Sequence, residues 1–270
     1  MFHGIVPGMK AYYQKNGIPG VLFYLRMRFY NRFIKSLVHA NWHYFFNPER
    51  VITKRYEQSL TLIDQRFTVY GNYYLCDQCL LNTDSVVYSL GVLRNTDFDQ
   101  AVVDQFDCFV YLFDPSIIAT RHINQLQQPK FIFNEVAIWK EAGEMQFTTP
   151  KYGGSPSMVL GHAGQRFTAQ AITLRQAMEM HQHQHIDVLK LDVEGAAPAI
   201  LNDMLDQHIY PTQVLAEFER PKTKQAVDFL AFYSELNTLI GRMCQLGYQV
   251  WRLPRDKYCY YSIELIFVRR

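Results

Sequence analysis

From residue 85 onward, short apolar runs alternate with segments whose apolar positions recur at helical spacing, the pattern of a parallel α/β sheet. Strands are predicted at residues 85–90, 108–113, 131–139, 187–192, 213–218, 248–253 and 262–268. The run at 131–139 leads through Glu141-Ala142-Gly143 into 145–148 and reads as a hairpin. The last two runs are separated by a short loop and so are expected to be antiparallel. Between the strands, Thr96 is placed to cap a helix carrying Phe98, Ala101, Val102 and Phe106 on one face, with Asp97 and Asp99 at its positive end. Further helices are predicted at 117–126, at 173–181 behind the capping box Thr173-Leu174-Arg175-Gln176, at 196–209 with Pro198 in the tolerated first turn, and from about Lys224 to Gly247. The expected architecture is α/β: a Rossmann-like, mostly parallel seven-stranded sheet flanked by helices, with an antiparallel closing strand and an N-terminal helical extension.

Charge adds a boundary that periodicity does not show. The chain has 270 residues, 49% of them hydrophobic, enough for one large core. Its net charge of +2 is unevenly spread: residues 1–56 carry nine Lys or Arg against one acid, Glu49, leaving 18 basic and 24 acidic residues for the remainder. Residues 1–66 therefore read as a basic, aromatic-rich extension and 67–270 as the main domain. Phe23, Tyr24, Phe29, Tyr30, Phe33, Trp42 and Phe45 lie among Arg26, Arg28, Arg32 and Lys35. A helix packed on the domain by its aromatics is the plain reading, with peripheral contact to an anionic membrane surface or an acceptor as the alternatives. No nucleic-acid-binding module motif accompanies the charge. Five scattered cysteines, Cys76, Cys79, Cys108, Cys244 and Cys259, fit a reducing, cytoplasmic setting, and no run approaches the ~20 apolar residues that span a bilayer.

The segment Ile186-Asp-Val-Leu-Lys-Leu-Asp-Val-Glu-Gly195 concentrates candidate chemistry. An apolar strand ends there in Lys190, Asp192 and Glu194, and ligands of open α/β sheets sit beyond the carboxyl ends of the strands. Asp192 is the candidate general base or acceptor anchor, and Glu217 closes the next strand. A salt-bridged strand terminus is the bland alternative, and no third ligand fixed by spacing favours a metal. Gly91 ends the first strand, where backbone amides at the start of a helix can meet an anion. Asp114 lies 23 positions after it, near the ~20 expected of a carboxylate that accepts ribose hydroxyls. Taken singly, Gly91 is a turn residue and Asp114-Pro115-Ser116 a helix-initiating turn. Cys76-Asp77-Gln78-Cys79 has no second pair and reads as buried thiols, and His181, His183 and His185 read as a solvated loop.

In its motifs the chain resembles the FkbM family of methyltransferases over about residues 70–270, through Val87-Tyr-Ser-Leu-Gly-Val92, Phe98-Asp99, Val110-Tyr-Leu-Phe-Asp-Pro115, Leu189-Lys-Leu-Asp-Val-Glu-Gly195 and Leu215-Ala-Glu217. The resemblance implies the class I methyltransferase fold and S-adenosylmethionine as cofactor, held at Ser89, Leu90, Gly91, Asp114 and Pro115. It also implies chemistry by Asp192, Lys190, Glu194 and Glu217 on a hydroxyl of a sugar, lipid or secondary metabolite. Leu93 stands where the family has a second glycine, and Asn95 where it often has Asp. Two rivals stay open: a binding module that keeps the fold without catalysis, and a nicotinamide-dependent oxidoreductase, which the missing G-x-G-x-x-G disfavours.

Overall fold

The computed structural model describes residues 48–150, 156–157, 164–223, 225–254 and 261–269. Most of the basic extension, residues 1–47, lies outside the described residues, as does Cys259. The chain divides into two units, Met1–Arg55 with Lys224–Val227, and Tyr56–Thr223 with Asp228–Arg270. Helix α1 (Pro48–Ser59) carries the boundary between them, and residues 48–55 of the first unit are helical.

The second unit opens with a two-stranded hairpin, β1 (Phe67–Tyr70) and β2 (Tyr73–Cys76), that the hydrophobic pattern did not predict. Its turn is Gly71-Asn72, and Gly71 has φ +58°. A Cβ at Gly71 would lie 2.4 Å from the Asp97 carbonyl carbon, so the turn sits directly on the backbone that starts the next helix. Then follow β3 (Val87–Leu90), α2 (Asp97–Phe106), β4 (Val110–Phe113), α3 (Ile117–Leu126) and β5 (Phe131–Asn134), close to the predicted positions. Thr96 does not cap α2 with its side chain; its hydroxyl meets His122 Nε2 at 3.2 Å, while Asn95 Oδ1 accepts from Asp97 N at 3.1 Å.

Beyond β5 the structure corrects the expected hairpin. β6 (Ala137–Ile138) pairs in parallel with the end of β8 (Gly164–Ile172), and β7 (Gly143–Pro150) pairs antiparallel with β8, so the partner of 143–150 lies downstream of it. These strands form a separate three-stranded sheet whose small core is Ala137, Phe147 and Ala171. The capping box forms as predicted at α4 (Leu174–Met180): Gln176 N donates to Thr173 Oγ1 and Thr173 N to Gln176 Oε1. β9 (Val188–Leu191), α5 (Ala197–Asp206), β10 (Gln213–Glu219), α6 (Ala226–Gln245), β11 (Tyr248–Arg252) and β12 (Ser262–Arg269) complete the chain.

The large sheet has seven strands in the order β11-β12-β10-β9-β3-β4-β5. β5, β4, β3, β9 and β10 are mutually parallel, and β12 runs antiparallel between β10 and β11. The expected α/β sheet with an antiparallel closing strand is therefore present. β3 and β9 are buried along their whole length, as central strands covered on both faces should be. Alternation sorts the residues: Tyr88, Leu90, Leu189 and Leu191 point to one face, and Val87, Ser89, Val188 and Lys190 to the other. The hairpin residues Phe67, Tyr73 and Leu75 and the α2 residues Phe98 and Val102 pack in the core on this second face, with Val87, Val110 and Leu215. Two polar side chains, Ser89 and Lys190, thus lie beneath the hairpin inside an otherwise apolar layer.

Candidate active site

The loop after β3 is fixed by close backbone contacts. Gly91 has φ +78°, and a Cβ there would fall 1.9 Å from the backbone oxygen of Asp192. Only glycine lets the end of β3 lie against the end of β9 in this way. Gly91 N donates to Phe113 O at 2.9 Å, and Asn95 N to Val92 O at 2.8 Å. Val92 N and Leu93 N donate to Asp114 Oδ2 at 3.1 and 2.9 Å, and Ser116 N donates to Oδ1 at 2.8 Å. The amides of the loop, expected from the sequence to meet an anionic ligand, are in large part spent inside the protein. An ionised carboxylate offers about four acceptor positions, and three of those on Asp114 are taken. Leu93, at the position of the family's second glycine, has φ +41° in the left-handed region that glycine favours.

Above this loop lies a cavity of about 240 Å³ at the carboxyl ends of β3, β4 and β9. Leu90, Phe113 and Pro115 give it apolar walls, and Ala137, Ile138 and Phe147 of the small sheet face them. Its polar groups come from Arg94, Asn95, Asp114, Asp192 and Glu194. Glu194 and Gly195 turn the chain out of β9 with φ +47° and +92°, and the Ser157 hydroxyl donates to Glu194 O at 2.7 Å. Of the residues named from the sequence, Leu90, Gly91, Asp114, Pro115, Asp192 and Glu194 line this cavity, whereas Ser89, Lys190 and Glu217 do not. Ser89 and Lys190 point to the face under the hairpin, where they are 0% and 3% exposed.

Lys190 lies outside the cavity. Its Nζ donates to Gly91 O at 3.2 Å and sits 5.0 Å from the centre of the Tyr73 ring. It therefore ties β9 to the Gly91 loop from below. Burial, then repulsion by Asp192, Glu217 and Glu264, raises the Tyr73 phenol well above its ordinary range, so its O–H stays protonated and donates to Asp192 Oδ2, a long bond of 3.4 Å. Asp99 of α2 is fully buried on the same face, and burial raises its carboxyl against the pull of Lys190 and the Ser89 hydroxyl. Beside Asp192 the carboxylates crowd. Glu217 stands directly opposite Glu264 in the β10–β12 pairing. Burial and then Asp192 push both up to about 7, and burial with Glu217 pushes Glu219 up to about 8.

Tyr73, Asp99 and Glu264 were not singled out by sequence reasoning as site residues. Tyr73 follows a Gly-Asn dipeptide flanked by aromatic and β-branched residues, which is a hairpin signal that could have found it. Glu264 is an acid at the strand position facing Glu217, visible only once the register is known. His181 and His183 are not solvated as expected. They pack on Tyr111 at 4.7 and 4.5 Å between ring centres, and Tyr88 and His183 share a 2.9 Å hydrogen bond. Cys76 is buried and Cys79 half-buried, and no disulfide links the four described cysteines. Among the described residues no His, Cys, Asp or Glu cluster could hold a metal ion, and no helix is long and apolar enough to cross a membrane.

No family model matches the sequence, and no curated protein resembles it. Solved structures that overlap it include an rRNA methylase from Streptococcus thermophilus, with 10% identity over 70% of this chain and 89% of that one at a TM-score of 0.39. A methyltransferase from Pyrococcus furiosus overlaps at 14% identity, over 86% of this chain and 98% of that one, at a TM-score of 0.37. A precorrin-6y C5,15-methyltransferase from Geobacter metallireducens GS-15 overlaps at 7% identity, over 79% and 96%, also at 0.37. Overlaps this partial carry no functional weight; function rests on the chain's own sheet and cavity.

Proposed function

We propose that this protein is an S-adenosylmethionine-dependent methyltransferase acting on a hydroxyl group. The observation that carries the reading is the meeting, in one cavity beyond the carboxyl ends of β3, β4 and β9, of a glycine turn, an acid ending β4 and an acid just past β9. That is where an open α/β sheet holds a nucleoside. The residues fit such a cofactor with two adjustments. Asp114 has one acceptor position left, enough for one ribose hydroxyl in place of two. With the Gly91, Val92 and Leu93 amides occupied, the guanidinium of Arg94 on the cavity wall is the group suited to the cofactor's carboxylate. When bound, the cofactor supplies an electrophilic methyl group on a sulfonium.

Asp192 is placed to receive the proton of an acceptor hydroxyl and Glu194 to orient the acceptor; Leu90, Phe113 and Phe147 keep water from the reacting groups. Lys190 and Tyr73 act through Gly91 and Asp192, as positioning residues. The resemblance to FkbM proteins supports a sugar, lipid or small-metabolite hydroxyl as the acceptor. The nine basic residues of 1–56 support peripheral contact with an anionic membrane surface from a cytoplasmic location. One observation favours the non-catalytic rival: the internal use of the Asp114 oxygens and the loop amides.

Calorimetry with S-adenosylmethionine, S-adenosylhomocysteine and NAD in parallel separates these readings. Binding of the first two without NAD is expected, and heat from neither at millimolar concentration would sink the cofactor assignment. Asp192→Asn should keep most of the affinity yet lower turnover by about 100-fold, whereas a fold lacking catalysis would show no turnover to lose. Sedimentation with anionic and neutral vesicles at low and high salt tests the membrane contact, which fails if the protein stays in the supernatant throughout.

A further inference from the structure

Asp192 and Glu194 on the cavity wall are the visible end of a longer acidic array. Glu217 lies two residues beyond Leu215, the partner of Lys190 in the β9–β10 register, and so shares the Lys190 face; Glu264 is its direct cross-strand neighbour. Glu219 follows at the end of β10 and repels Glu217. Like charges set directly opposite each other destabilise a sheet, so this ladder carries a cost that protonation or a nearby cation relieves. Among the described residues the cation beside the ladder is Lys190, and its Nζ is engaged by Gly91 O and the Tyr73 ring. Asp99, completely buried, adds another acid behind that lysine. Among the described residues the ladder also meets the Tyr73 phenol from β2 and the Ser262 hydroxyl from β12. Arg220, next along from Glu219, is turned to Glu57 and Tyr233.

We infer that the ladder Asp192–Glu217–Glu264 is a charge selector that makes the cavity hold a cationic occupant more tightly than its neutral counterpart, and so favours the sulfonium cofactor over the thioether product. The inference rests on the methyltransferase reading. It adds what sets the balance between substrate binding and product release. A cation in the cavity stabilises the ionised forms of Glu217 and Glu264, which then give up protons; when the cation is lost, they take protons back. Methyl transfer to a hydroxyl balances on this exchange. The sulfur–carbon bond breaks with its pair left on sulfur, a carbon–oxygen bond forms, and the hydroxyl proton is freed as the positive charge disappears. The ladder gains proton affinity at the step that frees a proton, and the product is left with a weaker hold.

Because Glu217 and Glu264 titrate near 7, the preference must depend on pH with a fixed sign. Cation binding releases protons, so the ratio of S-adenosylmethionine to S-adenosylhomocysteine affinity should rise with pH. The two ligands carry the same amino-acid end, and the sulfonium charge does not titrate, so their ratio isolates the protein's groups. Calorimetry of the full chain at pH 6.0, 7.0 and 8.5, in two buffers of different ionisation heat, should show the ratio growing about fivefold, which is what one pKa near 7 displaced by one unit yields over that range. Proton release should accompany S-adenosylmethionine binding alone, and the Glu217→Gln/Glu264→Gln variant should flatten the trend. A ratio constant with pH, with both ligands bound, overturns the selector and leaves the cofactor assignment standing. An unflattened trend in the variant overturns the part given to Glu217 and Glu264; should that variant not fold, the wild-type series decides alone. Binding of neither ligand overturns both.

Discussion

Gly91 and Leu93 both adopt left-handed backbone in one short loop, and only the first lacks the Cβ that makes this costly. At Gly91 any Cβ collides with the Asp192 carbonyl, so Gly91→Ala should lower stability by about 2–4 kcal/mol, from the left-handed penalty plus displaced packing. Urea denaturation measures it, and a loss under 1 kcal/mol would mean that the two strand ends separate easily. Leu93→Gly runs the other way. The left-handed penalty of about 1–2 kcal/mol is relieved, and most of it is returned as unfolded-chain entropy, leaving a gain of at most about 1 kcal/mol. The same substitution trims the cavity wall, and tighter S-adenosylhomocysteine binding is expected from calorimetry. That Asp114, Asp192, Glu194 and Glu217 stand at or just past strand ends was legible; that Glu217 lies outside the cavity was not. What Lys190 and Ser89 do was not legible. A strand residue next to a cluster of acids looks like part of the cluster, and only the parity of β9 shows it facing the hairpin instead.

The element that matters most for the site, and was least visible in the pattern, is the hairpin β1–β2. Four-residue strands carry too few alternations to stand out, and the aromatic run continues from the extension before them. Yet this hairpin brings Tyr73 under Asp192 and Lys190. Its seat on α2 depends on Gly71, where a Cβ would approach the backbone of Asp97 and Phe98 to within 2.4–2.5 Å at a φ of +58°. Gly71→Ala should therefore cost about 2 kcal/mol or more and loosen Tyr73 with it. A fall in the denaturation midpoint, with enhanced amide exchange over 67–76 and an undisturbed β3–β4 pair, is the expected pattern. The small sheet was misread for a different reason. Glu141-Ala142-Gly143 has the composition of a hairpin turn, but the strand it leads to finds its partner across a later loop, a non-local pairing that turn chemistry does not encode.

For the molecule as a whole, the ionisable groups set opposing slopes of stability against pH. Glu217 and Glu264 at about 7 and Glu219 at about 8 lie above the ~4.3 of an unfolded glutamate, so the folded state binds more protons in between. Their contribution is fully present below the unfolded value and is lost as pH rises through 7 to 8. His181 and His183 are lowered by burial; what they contribute is present above ~6.5 and lost as pH falls through their folded values. Thermal melting should show a lower Tm at pH 8.5 than at pH 6, a difference that the Glu217→Gln/Glu264→Gln variant partly removes. A Tm that climbs steadily from pH 6 to 8.5 would show that the carboxylates are not repelling one another as their placement requires.

β12 is the last strand in the chain but lies between β10 and β11 in the sheet. While the protein is being synthesised, β10 is therefore left with an open edge, and β11 has nothing in the sheet to pair with, until β12 emerges from the ribosome. An open edge of an apolar strand invites pairing with another chain. Chains truncated near residue 250 should accordingly depend on chaperones and resist proteolysis poorly, and chains that carry β12 should show neither trait.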